Sequence, residues 1–444
     1  MHPHLPLITS HTPHHRARHK ALRCGTVLLL GLLAACTVYT AKPLDLQRNT
    51  AEWLTLSRKL CAKPALSLAD LHNIGLMLNP DLNKARLTYA KSTSIAEFAG
   101  LWEDPSLSTE LAYTLSPYAT GQTYTPGLTL PVTGLPALAS KIAEQYKEAD
   151  YWTMRTQERD FLKQLDTLRH RIMVSHAKQQ LMRTRLTRLR DEEEKIAKLY
   201  ELGEVEFAEF KLANQRTFDA TKALQELDNL HLQQHLELVN LLGLHPDMRD
   251  IELQGSLPRE LPAALPVADG DALLESPELK ALMASYGAGE QELRREIRRQ
   301  YPELSLSMGW ERADDVDKLK PTIGFNIPLW NRNREAIAAA NAERDIRHHD
   351  AISQWRALLR NAAALSDRQQ LALQHCREEF TNLGVLRDAE QRQEALFAIG
   401  EIGMPALAGS RQEVFERHIN YLDCLEQLLD VQTQILYLNP FHKP

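Results

Sequence analysis

Hydrophobic and polar residues alternate with a period of two in four short stretches of this chain, the pattern that predicts β-strands. The stretches lie at residues 106–115, 124–130, 304–311 and 322–327. Polar segments at 116–123 and 312–320 separate the members of each pair. The sequence therefore predicts two β-hairpins, at about residues 105–131 and 302–328.

A helical pattern fills the long segments between these hairpins. Between Pro136 and Pro246 there is no proline, and the only glycines are Gly203 and Gly243. Apolar residues step by four and three through Phe161, Leu165, Leu168 and Ile172, with polar interruptions at Ser175, Gln179 and Glu193. At ~1.5 Å per residue, the roughly 60 residues before Gly203 predict a rod on the order of 90 Å long. The pattern resumes after Gly203 and repeats around Gly400, so each rod is expected to turn there and return as an antiparallel coiled hairpin.

The chain repeats itself at a constant offset of 197 residues. Residues 79–82 (Asn-Pro-Asp-Leu) return at 276–279 (Ser-Pro-Glu-Leu), and 199–205 return at 396–402. An ungapped spacing over this length indicates duplication of a whole structural unit. We predict a first repeat at 67–245, an equatorial linker at 246–270, a second repeat at 271–438 and a tail at 439–444.

The first 36 residues have the layout of a bacterial export signal. Arg16, Arg18, Lys20 and Arg23 precede an apolar run from 27 to 35, which is too short to span a bilayer. The run ends in Leu33-Ala34-Ala35-Cys36, which resembles a lipobox, with Thr37 favouring delivery to the outer membrane. We therefore expect a signal peptide at 1–35, a covalent lipid on Cys36 and a lipidated segment at 36–66. An ordinary signal with an incidental cysteine is the alternative.

Composition narrows the functional classes. Removing residues 1–35 takes away four basic and no acidic residues, so the formal charge falls from −6 to about −10, which argues against nucleic acid as a partner. Aromatic residues are only 6% of the chain, which suits long helices packed with Ala and Leu. No nucleophile elbow, phosphate loop or metal-ligand spacing is present, so no catalytic residue and no enzyme activity is predicted.

Histidines and cysteines are the remaining candidates for chemistry. His231 and His235 lie one helical turn apart and are either a metal-ligand pair or surface histidines, and without a third ligand in view no metal site is predicted. Cys61, Cys376 and Cys424 are scattered along the chain and form no disulfide framework. We expect these three to be packing residues. No cofactor is predicted apart from the lipid on Cys36.

The doubled order of elements resembles the TolC-type outer membrane efflux factor family. The resemblance rests on residues 79–82 with Ala85-Arg86, on Pro105, on the two tip sequences around the glycines and on the run 327–334. It implies a mostly α fold with a small β part, made of long antiparallel coiled-coil helices and two β-hairpins. It also implies a homotrimer, in which twelve strands close an outer membrane barrel on a periplasmic helical cylinder.

The function implied by this resemblance is passive conduction across the outer membrane. The partners implied are an inner membrane pump, expected to be proton-driven, a periplasmic adaptor and outer membrane lipid. Pore closure and adaptor contact are assigned to tips at 199–210 and 396–407. The candidate tip residues are Leu199, Tyr200, Gly203, Glu204, Glu206, Glu209, Phe397, Gly400 and Glu401. The acids among them either gate a cation-favouring aperture or form an ordinary solvated face.

One sequence run bears on the transported substrate. The run Pro-Leu-Trp-Asn-Arg-Asn-Arg at 328–334 resembles the cobalt-zinc-cadmium resistance branch of the family, which implies heavy-metal cations. Drugs, other organic compounds or a secreted protein are the alternatives. A non-channel coiled-coil structural lipoprotein would share the lipobox and the helices, although it has no need of two alternating hairpins.

Overall fold

The computed structural model describes residues 39–113, 120–130, 133–313, 316–325, 327 and 329–439. The predicted signal peptide and Cys36 lie outside these residues. The chain divides into two compact units, Met1–Glu52 and Trp53–Pro444. Helix α1 spans Leu46–Leu60. In the short unit, Arg48 and Glu52 form an exposed ion pair one turn apart, 2.8 Å between Nε and Oε1.

The large unit contains the same series of elements twice. The first series is α2 (Leu68–Leu78), α3 (Pro80–Phe98), β1 (Ser106–Tyr113), β2 (Thr120–Leu130), α4 (Leu135–Glu201) and α5 (Phe207–Leu242). The second is α6 (Gly270–Leu274), α7 (Pro277–Arg298), β3 (Leu304–Ala313), β4 (Val316–Phe325), α8 (Arg334–Ala398) and α9 (Met404–Leu438). With 67 and 65 residues, α4 and α8 are each on the order of 100 Å long, so the prediction of long rods is confirmed.

The repeated motif at 79–82 and 276–279 marks the start of a helix. The Asn79 side chain accepts hydrogen bonds from the backbone N–H groups of Asp81 and Leu82, both 2.9 Å long. Pro80 and Pro277 occupy the first helical position, where a missing N–H costs nothing. The sequence run that precedes α8 likewise leads into the first turn of a helix. Asn333 has a left-handed backbone (φ 53°) and donates from Nδ2 to the Glu296 carbonyl over 2.8 Å.

The four strands form one antiparallel sheet in the order β1-β2-β3-β4. The pairing places the predicted apolar positions on one face, since Leu128 lies opposite Leu306 and Leu306 lies opposite Ile323. On the same face the rings of Tyr124 and Trp310 stack with their centroids 5.8 Å apart. The two β-hairpins therefore combine into a sheet with one apolar and one polar face.

The predicted hairpin loops are too long. β3 continues to Ala313 and β4 begins at Val316, inside the polar segment that the sequence assigned to a loop. Charge explains the difference, because Glu311 lies opposite Lys318 and pairs with Lys320 on the polar face. These charged residues obscure the period of two. β4 also ends at Phe325, before the predicted Ile327, and β2 begins at Thr120, before the predicted residue 124.

The heptad positions of α4 form a buried core. Phe161, Leu165, Leu168 and Ile172 are all at most 5% exposed and pack with Leu238 and Leu242 of α5. Two of the three polar interruptions, Ser175 and Gln179, are also buried and are hydrogen-bonded. The Ser175 hydroxyl donates to Gln234 Oε1 over 2.7 Å, and Gln179 Nε2 donates to Asp228 Oδ1 over 2.9 Å. Satisfied polar groups can be buried at modest cost, so the coiled hairpin continues through them.

Among the described residues, no helix combines the length and the hydrophobicity needed to cross a membrane.

Candidate functional site: the two helical tips

Each long helix ends in the same turn, built around a glycine. Gly203 and Gly400 have left-handed backbones, with φ of 75° and 80°. The N–H of Glu204 donates to the Leu199 carbonyl over 2.9 Å, and the N–H of Glu401 donates to the Leu396 carbonyl over 3.0 Å. This is a Schellman turn, in which glycine avoids the strain that a Cβ would bring. The structure thus shows that both predicted glycines are turn residues.

Apolar side chains are exposed at equivalent positions of the two tips. Leu202 is 73% exposed, and Ile399, which lies 197 residues later, is 69% exposed. Both residues directly precede the turn glycine. Exposed large apolar residues that cluster at one end of a protein are typical of a protein-protein contact. Sequence reasoning did not single out this pair, because a helical pattern does not show which apolar residues face solvent at a helix end.

The two tips differ in the packing behind the turn. In the first tip, Tyr200 of α4 stacks on Phe210 of α5 with ring centroids 5.2 Å apart, and Phe207 lies 6.0 Å from the same ring. The equivalent positions of the second tip hold Phe397, Met404 and Leu407. Leu407 is only 2% exposed. An aromatic stack therefore joins the two helices of the first tip, whereas a buried leucine anchors the second.

The acidic tip residues lie on the surface of the turns. Glu204, Glu206, Glu209 and Glu401 are all exposed. Glu206 is the N-cap of α5 and Glu209 lies in its first turn, where the positive end of the helix dipole favours an acid. Ala406 occupies the position equivalent to Glu209, so the two tips carry different acidic residues. The four carboxylates face solvent, where a cation or a basic partner can reach them.

Ion pairs join α4 to α9 above the tips. Arg411 of α9 bonds to Glu192 of α4 and to Glu394 of α8, both at 2.9 Å. Burial lowers the pKa of the Arg411 guanidinium. The hydrogen bonds with Glu394 and Glu192 outweigh burial, so the pKa is raised. Further from the tips, Lys178 of α4 pairs with Asp423 of α9 over 2.5 Å. The two helical hairpins are thus held together by charge as well as by packing.

A cleft of about 850 Å³ lies between the helical hairpins, next to Glu192 and Arg411. Arg185, Arg188, Glu390 and His418 are among the residues that line it. Arg185 lies over the ring of Phe415, with its Cζ 4.0 Å from the ring centroid. Burial and then the neighbouring Arg387 lower the pKa of His418 to about 4, so this histidine is neutral at pH 7. Sequence reasoning missed this cleft, because its residues come from four separate helices.

The candidate histidine pair lies away from the tips. His231 and His235 of α5 have ring centroids 4.5 Å apart, and His176 of α4 stacks on His231 at 5.9 Å. Burial and then the neighbouring histidines lower the pKa of His231 to about 4. In the described part of the chain, no group of three His, Cys, Asp or Glu side chains is placed to hold a metal ion. His231 lies beside the buried Ser175, whose hydroxyl is 3.1 Å from His231 Nδ1.

Comparison with known proteins gives one related sequence and several related structures. No family model matches the chain. The cobalt-zinc-cadmium resistance protein CzcC of Cupriavidus metallidurans is 27% identical over 194 residues. This match spans 41% of the chain and 45% of CzcC, less than half the length of the relative.

The structural similarity extends over most of the chain. The outer-membrane channel OprN superposes with a TM-score of 0.73 at 16% identity, covering 92% of this chain and all of OprN. The outer membrane protein VceC of Vibrio cholerae gives a TM-score of 0.72 at 13% identity, covering 84% of this chain and 96% of VceC. The predicted TolC-type architecture is therefore confirmed at the level of the fold, which this chain shares with outer membrane channel proteins such as OprN.

Proposed function

We propose that this chain is the outer membrane channel of a tripartite efflux system. It conducts substrate passively from an inner membrane pump and a periplasmic adaptor to the exterior, and performs no catalysis itself. The observation that carries this proposal is the combination, in one chain, of a sheet with an apolar face and two helical hairpins, each built on a helix on the order of 100 Å long. The shared fold with OprN and VceC supports it.

The sheet supports a trimer as the working form. Within one chain its outer strands are β1 and β4, and each has a neighbouring strand on only one side in the described residues. Open strand edges favour pairing with another chain. Three copies joined edge to edge would close twelve strands, with the face that carries Leu128, Leu306 and Ile323 towards lipid and the face with Glu311 and Lys320 towards water.

The helical tips are the proposed contact with the adaptor and the narrowest part of the pore. Leu202 and Ile399 offer the adaptor an apolar surface at the end of each helical hairpin. The exposed acids Glu204, Glu206, Glu209 and Glu401 lie beside them and would favour cations at the aperture. Glycine turns at Gly203 and Gly400 fix the directions of these side chains.

A lipid on Cys36 is the proposed membrane anchor. The support is the order of basic residues, apolar run and Leu-Ala-Ala-Cys in the first 36 residues. Cells grown with a radiolabelled lipid precursor should label the wild-type chain, and Cys36→Ala should lose the label while the protein still folds. Continued labelling of Cys36→Ala would contradict a lipid at this residue.

Heavy-metal cations are the proposed substrates, supported by the similarity to the cobalt-zinc-cadmium resistance protein CzcC. The test is deletion in the native host, followed by growth on cobalt, zinc and cadmium salts and on a panel of drugs. We expect lower tolerance to at least one of the metals, restored by the wild-type gene. Sensitivity to drugs alone would contradict the metal substrate but keep the channel, and unchanged tolerance to every compound would contradict the efflux role.

A further inference from the structure

Two buried cysteines face each other across the second helical hairpin. Cys376 of α8 and Cys424 of α9 are free thiols that are 0% and 1% exposed, and each lies close enough to change the pKa of the other. They lie in one apolar cluster with Leu383, Leu425 and Leu428. The sequence gives no sign of this contact, because 47 residues, including the whole second tip, separate the two cysteines.

The internal duplication shows that the equivalent positions of the first helical hairpin are also in contact. Subtracting the offset of 197 gives Gln179 and Leu227 in the first helical hairpin. There too the two residues face each other, since Gln179 Nε2 lies 3.3 Å from the Leu227 carbonyl oxygen. Gln179 also donates to Asp228 over 2.9 Å. The same level of the hairpin is therefore joined by polar hydrogen bonds in the first repeat and by two thiols in the second.

Once the chain has folded, both thiols are closed off from an attacking disulfide, since Cys376 and Cys424 are at most 1% exposed. The Cys424 thiol donates to the Tyr421 carbonyl over 3.3 Å. The pKa of this thiol is raised, first by the neighbouring Cys376 thiol and then by burial. Thiol-disulfide exchange needs a thiolate and access to the attacking sulfur. Any oxidation of this pair must therefore take place while α8 and α9 are still assembling.

We propose that Cys376 and Cys424 form a disulfide in the exported protein, tying α8 to α9 and leaving α4 and α5 without an equivalent crosslink. The inference rests on the proposed periplasmic position of the helices, because disulfides form and persist in that oxidising compartment. It makes the two helical hairpins mechanically unequal: the second is covalently closed at a level about 36 Å along α8 from Gly400, whereas the first is held by side-chain contacts alone.

The oxidation is a thiol-disulfide exchange with a protein disulfide as the oxidant. One cysteine loses its proton, and its thiolate attacks the disulfide of the oxidant, forming a mixed disulfide and releasing one thiolate of the oxidant. The second cysteine, also deprotonated, attacks the sulfur of the first and expels the oxidant's other thiolate. Both released thiolates take up protons. Two thiols of the chain are oxidised to one disulfide, and one disulfide of the oxidant is reduced to two thiols.

The test is peptide mass spectrometry of the full chain extracted from its native host. Cells are quenched in acid, and the protein is denatured with a chelator and a maleimide but without reductant, then digested with trypsin. We expect residues 369–377 and 418–444 to appear as one linked species, 2 Da lighter than the two thiol peptides together, and to separate on reduction. Full maleimide labelling of both cysteines would overturn the disulfide, including the case in which a metal bridges the thiols.

Single substitutions provide the controls. Cys376→Ser should leave Cys424 open to maleimide, and Cys424→Ser should do the same for Cys376, whereas Cys61→Ser should leave the linked peptide unchanged. Membrane fractionation of the same cells separates the two proposals. Two free thiols in a chain found in the outer membrane would overturn the crosslink alone, whereas two free thiols in a cytoplasmic chain would contradict the proposed location and the crosslink that depends on it.

Discussion

The guanidinium of Arg411 on α9 donates a hydrogen bond to the carboxylate of Glu192 on α4, 2.9 Å away, and so links the two helical hairpins directly above their tips. The Glu192 side chain is only 12% exposed, which places this bond largely out of water. Arg411 also bonds to Glu394 of its own hairpin over 2.9 Å. One side chain therefore connects three long helices next to the tips, where the pore is proposed to narrow.

Arg411→Ala should loosen this connection. The change leaves the buried Glu192 carboxylate without its cation, and a lost hydrogen bond between charged groups costs about 2 kcal/mol. We expect faster hydrogen exchange in residues 185–200 and 404–415 and a higher single-channel conductance in planar bilayers.

The matched control is Arg392→Ala. Arg392 is also an arginine near the second tip, but its side chain is exposed. This variant should leave both the exchange rates and the conductance unchanged. An equal effect of the two substitutions would show that Arg411 acts through general charge rather than through its bonds to Glu192 and Glu394.

Gly203→Ala should destabilise the first tip. A Cβ at Gly203 meets no atom within 4 Å, so the cost comes from the left-handed backbone alone, about 1–2 kcal/mol. Gly384→Ala is the comparison, because this glycine lies inside α8, is equally free of neighbours and has no positive φ. There alanine should stabilise the helix by up to about 1 kcal/mol. Hydrogen exchange at each site measures both effects, and the same sign for the two would refute the turn assignment.

The helical hairpins should lose stability as the pH falls from about 6.5 towards 4. Burial and then Arg387 lower the pKa of His418 from 6.5 to about 4, so the unfolded chain takes up a proton at a higher pH than the folded chain does. The stability that the neutral histidine provides is complete above pH 6.5 and is lost on acidification. Thermal unfolding of wild type and His418→Gln across this range should show a smaller pH dependence in the variant. The exposed His349→Gln should keep the wild-type dependence.

The exposed apolar residues of the tips should be needed for efflux but not for assembly. Replacing both Leu202 and Ile399 by Asp puts charge where the adaptor is proposed to pack. Loss of these apolar contacts should weaken the affinity for the adaptor by at least roughly tenfold. The double variant should still form a trimer but fail to restore tolerance in the deletion strain. Leu371→Asp, at a residue on α8 that is 68% exposed, should complement normally. Full complementation by the double variant would remove these residues from the contact.

The sequence predicts most of the architecture because its signals are local or repeated. Proline and glycine positions delimit α4 and α8, and the offset of 197 shows that one unit occurs twice. The predicted strand lengths are wrong around Glu311, Lys318 and Lys320. These residues form cross-strand pairs in the sheet, but in the sequence their charges are typical of a loop. The remaining features depend on contacts between distant segments.

Arg411 with Glu192, and Cys376 with Cys424, illustrate this limit. Each pair lies on helices whose relative rotation is set by packing along their whole length, and no local pattern encodes that rotation. The exposure of Leu202 and Ile399 is likewise decided by where each helix ends relative to its neighbours. Contacts between these helices can thus be identified only in three dimensions.

The most direct test of the proposed channel is the mass and conductance of the purified chain. Size-exclusion chromatography with light scattering in detergent should give a trimer, because a four-stranded sheet has two open edges. The same preparation, added to a planar bilayer, should produce discrete ion-conducting steps. A stable monomer that produces no conductance would contradict the account.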